Sequence, residues 1–211
     1  MKFEQLLDIV SEQPLFETGL LLSGEADPND IRRQLSRWVS TGRLKQLRRG
    51  LYTLAPPYQK ISPHPFLTAN FLMPGSYVSM QSALAYYGLI PEYAARTWSV
   101  TTARPAQWDG GFQFQHLAPH LFFGYQRVEL SQEQSALVAT PEKAILDLTH
   151  LTPNADDIDY LRQLRLQNLN QLNLEQLDEF ARRAGKPKWR RVAERITRIR
   201  QEELTDYEEI P

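Results

Sequence analysis

The feature of this sequence that most constrains its fold is a helix with both ends specified. Asp27-Pro28-Asn29-Asp30 sets a side-chain acceptor at the N-cap, a proline at the first helical position and an acid in the first turn. Gly42 supplies the stop, so the spacing predicts a helix running to about Thr41. Inside it, Ile31, Leu35, Trp38 and Val39 form one apolar stripe. Arg33, Ser36, Arg37 and Ser40 fall on the opposite face, with Arg32 near its margin. After the stop, Leu44–Arg48 and Leu51–Leu54 read as two short strands turned at the Arg48-Arg49-Gly50 corner.

Charge follows the same segment. Residues 31–52 carry Arg32, Arg33, Arg37, Arg43, Lys45, Arg48 and Arg49 with no acid, in a chain of 211 residues with only 24 Lys and Arg. The middle, 61–160, is acidic, with four cations against nine acids. A second basic run, 181–200, has nine cations and one acid, and 201–211 has five acids and no cation. The net charge of −1 hides this asymmetry and says nothing by itself about partners.

Helix, stop and basic two-stranded ribbon form the layout of a winged helix-turn-helix. A helix of this girth fits a major groove about 12 Å wide, and Arg reads guanine in bidentate fashion. Arg32, Arg33, Ser36 and Arg37 are therefore the candidates for facing the groove. Arg43, Lys45, Arg48 and Arg49 are the candidates for backbone or minor-groove contact. Upstream, residues 3–12 read as a helix, and Phe16–Leu22 as a strand or a second short helix. The bland alternative is a solvated basic surface beside an incidental hairpin.

The rest of the chain mixes elements. Helices are expected over 64–73, over Met80–Tyr87 with Ser79 as cap, and from a Thr140-Pro141-Glu142 start to about His150. Strands are expected over Thr97–Thr102, Phe112–Leu117, Gly124–Leu130 and Ser135–Ala139. Residues 156–167, 174–184 and 188–201 read as three further helices. The expected class is α+β: an N-terminal winged helix-turn-helix, 1–57, then a mixed α/β domain with C-terminal helices, 58–211. In the last helix Trp189, Val192, Ile196 and Ile199 share a stripe, while Lys188, Arg190, Arg191, Arg195 and Arg198 lie mostly off it. These cations are a candidate second basic surface toward DNA backbone or a protein partner, or a solvated face.

Several motifs then resemble the AbiEi-type antitoxins of type IV (abortive-infection) toxin–antitoxin systems and their regulator relatives. Gly42-Arg43-Leu44 leading to Leu47-Arg48-Arg49-Gly50-Leu51-Tyr52 resembles their wing. The run from Tyr77-Val78-Ser79 through Ser82-Ala83-Leu84 to Gly88-Leu89 is similar to a second family segment. Thr101-Thr102-Ala103-Arg104 and Thr140-Pro141-Glu142-Lys143-Ala144-Ile145-Leu146-Asp147-Leu148 follow in the same order. The resemblance spans roughly 28–150. It implies a repressor of its own operon that binds double-stranded operator DNA with inverted repeats. It also implies a C-terminal domain that counteracts a nucleotidyltransferase-like toxin in phage defence.

Enzyme readings find less support. The chain has no Cys, which removes disulfides, thiolate metal sites and a Cys nucleophile and fits a reducing cytoplasm. No apolar run approaches the about 20 residues of a membrane span, and residues 1–15 lack a signal-peptide core. There is no Walker loop, no Gly-x-Ser-x-Gly and no His-Glu-x-x-His. His116 and His120 are separated by Pro119, so they diverge rather than hold a metal. Ser79 and Ser82 read as caps, and Lys143 and Asp147 as a helix pair. No enzyme activity, cofactor or metal is expected. A winged-helix protein-interaction module and a small hydrolase or transferase using Glu142 or Asp147 in the acidic middle stand as alternatives.

Overall fold

A computed structural model of the chain describes residues 1–22, 27–91 and 95–208, with side chains through Glu202. Two compact units make up the protein. One is Met1–Pro74 with Glu129–Ser135, and the other is Gly75–Val128 with Ala136–Pro211. Mixed α and β structure runs through both.

In the first unit, α1 (Phe3–Val10) buries Phe3, Leu6 and Val10. The ambiguous stretch after it contains both expected alternatives, a two-residue strand β1 (Phe16–Glu17) and a single-turn helix α2 (Thr18–Leu21). Helix α3 (Pro28–Ser40) starts where its punctuation predicts. Asp27 Oδ1 accepts the Asn29 N–H at 2.9 Å. The first-turn acid, Asp30, takes the Arg33 guanidinium. The stripe of Ile31, Leu35 and Trp38 is buried. The hairpin strands are β2 (Leu44–Arg48) and β3 (Leu51–Leu54), antiparallel with a bulge between Gln46 and Arg48. Gly50 makes the corner at φ 82°, a conformation that carries no penalty only for glycine. β1 adds to β3, giving the order β1-β3-β2. Phe3, Leu6, Phe16, Leu35, Trp38, Leu44 and Leu54 close one core. Helix α4 (Pro65–Leu72) ends the unit's main stretch, with His64 at its N-cap.

The second unit is organised by a six-stranded mixed sheet. Its strands are β4 (Ser76–Val78), β5 (Thr97–Thr101), β6 (Ala106–Trp108), β7 (Phe112–His116), β8 (Tyr125–Glu129) and β9 (Ser135–Ala139), in the order β6-β7-β5-β4-β9-β8. Pairing is antiparallel for β4–β5 and β6–β7, and parallel for β4–β9 and β5–β7. Helix α5 (Met80–Tyr86) packs on α6 (Pro141–Leu151). Next come the short α7 (Ile158–Gln163), then α8 (Leu174–Ala184) and α9 (Pro187–Glu208), both packed on α6. The expected helix over 156–167 is cut short, because Arg165 and Asn168 take left-handed backbone. The last helix is longer than expected. No helix among the described residues is long and apolar enough to cross a membrane.

Candidate nucleic-acid interface

The basic surface of the first unit is laid out by α3 and the hairpin. Arg32, Arg33, Ser36, Arg37 and Ser40 are all exposed, opposite the buried stripe. Arg33 bonds to Asp30 within the helix, and Arg32 reaches Asn29 Oδ1 at 3.4 Å. Both ion-pair partners are solvated (78% and 52% exposed), so water competes well for them and the pair is weak. Arg37 stays free of such a pair: no carboxylate reaches it among the described residues. Lys45 is exposed on β2, and Arg49 is exposed at the hairpin corner.

Arg48 departs from the expected layout. Its Nε donates to Phe71 O at 3.0 Å, one terminal nitrogen to Arg49 O at 3.1 Å and the other to Glu17 at 2.7 Å. The side chain turns inward, and its guanidinium fastens hairpin, β1 and the end of α4 to one another. Arg43 is also half-buried, with its guanidinium 4.8 Å above the Phe3 ring. The phosphate-contact set read from sequence therefore splits. Lys45 and Arg49 are presented outward, Arg43 borders the α1 edge, and Arg48 is structural.

In the second unit, side chains from the segments 77–79 and 140–148 converge on one buried polar network. Lys143, Asp147, Tyr77 and Ser79 are all fully buried. The Lys143 ammonium donates to Tyr77 Oη at 2.7 Å and forms an ion pair with Asp147. Asp147 also accepts from Tyr77 Oη at 3.0 Å and from Ser79 Oγ at 2.8 Å. The ammonium sits among three rings, 5.4 Å from Tyr77, 5.5 Å from Phe123 and 5.1 Å from Trp189. Burial lowers the Lys143 pKa, and Asp147 offsets part of that. Burial and the Asp147 charge both push the Tyr77 hydroxyl up, so it keeps its proton and donates. Gly124 lets the cage close: a Cβ there would stand 2.9 Å from Phe180 and 3.1 Å from Lys143 Cγ.

These contacts correct the reading of both serines as caps. Ser79 holds the N-cap position of α5, but its hydroxyl is spent on Asp147. Ser82 Oγ instead bridges Arg96 O and Trp98 N, 2.9 and 2.8 Å away. Glu142 is also buried, and it accepts Asn173 N–H at 2.8 Å. Among the described residues no group of three His, Asp or Glu is placed to hold a metal. His116 Nδ1 lies 3.0 Å from Ala103 O, while His120 sits in a separate short turn.

The cations of α9 are shared between structure and solvent. Trp189, Val192, Ile196 and Ile199 are buried as their spacing predicts. Lys188 donates to Thr152 O at 2.7 Å, and Arg191 pairs with Asp156 at 2.7 Å, a contact that lowers the Asp156 pKa. Arg190 and Arg198 remain exposed, and Arg195 is half-buried. Glu202 pairs with Arg162. The other acids expected of the tail, Glu203, Asp206, Glu208 and Glu209, lie outside the described side chains.

No family model and no curated protein matches the chain. Among solved structures, it is similar to the RV2827C protein from Mycobacterium tuberculosis, which is 15% identical with a TM-score of 0.57. That match covers 92% of this chain and 75% of that one, and it shows a shared mixed α and β fold.

Proposed function

We propose that this protein is a DNA-binding transcriptional repressor of the AbiEi-antitoxin type and that its first unit is a winged helix. The order α1-β1-α2-α3-β2-β3 with a β1-β3-β2 sheet supports the winged-helix reading. In it, α2 and α3 form the helix-turn-helix and β2–β3 the wing. The observation that carries the reading is charge placement. Seven cations and no acid lie between residues 31 and 52. The α3 face that holds three of them points away from the core. A helix of 13 residues is about 20 Å long, enough to cross a major groove.

Arg32, Arg33, Ser36 and Arg37 then face base edges, and Lys45, Arg49 and Arg43 contact phosphate. Arg48 holds the wing in place. The partner-toxin part of the reading rests on the four motifs in their order, and it predicts that co-expression relieves the growth arrest caused by a nucleotidyltransferase-like toxin.

The first test is a gel shift on DNA upstream of the protein's own gene, at two salt concentrations. If about five phosphates are neutralised per protomer, log affinity falls with log salt at a slope near −4.5. The Arg33→Ala/Arg37→Ala variant is expected to lose specific binding, at about 1–3 kcal/mol for each bidentate base contact removed. A folded protein that binds no DNA at low salt overturns the reading.

A further inference from the structure

A pocket of about 380 Å³ lies in the first unit between the start of α1 and the end of α3. That volume is within the usual range for small-molecule sites. Phe3 and Trp38 supply its apolar wall, while Lys2, Arg37 and Arg43 bring three cations to it. Glu4 is the acid in the same wall. Neither Arg37 nor Arg43 pairs with a carboxylate among the described residues. Arg43 is half-buried and held over Phe3, so its guanidinium is presented in a fixed place. Gln34 also lines the pocket, and its Oε1 is buried with no hydrogen-bond partner. Rotating that amide end for end offers an N–H donor at the same spot.

One half-buried and one exposed guanidinium, neither paired with a carboxylate, select a compact anion at a small concavity. The planar donor fork matches phosphate oxygens in pairs, and partial desolvation strengthens each bond. We propose that this pocket binds a small phosphate-class anion through Arg37, Arg43 and Lys2. The phosphate has two possible sources, a free anion or the backbone of a nucleic acid. For a free anion there is a regulatory consequence, which rests on the DNA reading above. Arg37 belongs both to the pocket and to the exposed face of α3, so an anion that holds Arg37 withdraws it from the groove. A free anion then acts as an effector that weakens operator binding by about tenfold, within the usual range of coupling between two sites.

The test titrates the full chain with inorganic pyrophosphate and follows the thermal midpoint, with potassium chloride at matched ionic strength as control. A saturable rise beyond the control, absent in Arg43→Gln and weakened in Arg37→Gln, supports a free-anion site. Arg37 is exposed, so its variant folds even if Arg43→Gln does not. If pyrophosphate gives no saturable rise but Arg43→Gln weakens DNA binding and makes the salt slope shallower by about 1, the phosphate comes from nucleic acid. Neither effect in folded variants overturns the proposal. The pyrophosphate arm contains no DNA, so its failure is distinct from failure of the repressor reading.

Discussion

Lys143 shows what a single residue can carry in this fold. Its ammonium is fully buried, and its stabilisation comes from Asp147, Tyr77 and three aromatic faces. Removing one partner of such a pair leaves an uncompensated buried charge, at about 3–5 kcal/mol. Lys143→Ala is therefore expected to lower the denaturant midpoint severely. Replacing both partners, as in Lys143→Met/Asp147→Leu, removes the orphan charge and is expected to restore part of the loss. Urea unfolding of Lys143→Met, Asp147→Leu and the double checks this. Additive losses would show that the pair is not energetically coupled. Spacing made the i,i+4 pair legible in the sequence. Tyr77 and Ser79 were not, because their hydroxyls reach Asp147 across 70 and 68 residues of chain. Ser79 read as a cap since local rules know only local acceptors, and here a distant carboxylate won.

Among the elements, those with chemical punctuation were the legible ones. Asp27-Pro28 and Thr140-Pro141 mark the starts of α3 and α6 to the residue, and the Gly50 corner marks the hairpin. The strands β4 and β6 were missed. Three residues are too few for alternation to register; β4 also pairs with strands distant in sequence, whereas β6 is the short arm of a hairpin with β7. Helix α4 has a cap that depends on protonation. His64 Nδ1 accepts the Phe66 N–H at 3.1 Å, which only the neutral ring can do. Burial lowers the His64 pKa below its ordinary 6.5, and the same holds for His150. The unfolded chain therefore takes up these protons first as pH falls. Stability is full above about pH 6.5 and declines as pH drops through the folded-state values. Urea midpoints at pH 7.5 and 5.5 measure the decline. His64→Asn keeps a capping acceptor and is expected to flatten part of it, with His150 responsible for the rest.

For the whole molecule, the expected split falls after residue 57, where two successive prolines, Pro56 and Pro57, follow the second hairpin strand. The first compact unit continues to Pro74 and takes in Glu129–Ser135 from far along the chain. Nothing local announces that return. It is made by Gln134, a buried side chain whose amide accepts His64 N–H at 2.7 Å and donates to Ser62 O at 3.0 Å. Gln134→Ala removes both bonds and strands a main-chain donor, so a loss of about 2–3 kcal/mol is expected at roughly 1 kcal/mol per hydrogen bond plus desolvation. Thermal unfolding of the full chain measures it, and a shift below 1 °C would show that the clasp carries no stability. The basic surface of the first unit was legible as a charge run. The inward turn of Arg48 and the seating of Arg43 on Phe3 were not, since both depend on residues brought close only by the folded core.

The return of Glu129–Ser135 also bears on how such a protein can change over generations. A unit encoded by one continuous stretch can be exchanged by a single crossover in its gene. This one cannot, because the chain changes unit after Pro74, after Val128 and again after Ser135. A crossover at the first junction would deliver Ser62 and His64 without the glutamine that fits them. The N-terminal unit is therefore expected to be inherited together with its distant loop, and chimeras joined at residue 74 should fold well only when residues 129–135 come from the same parent.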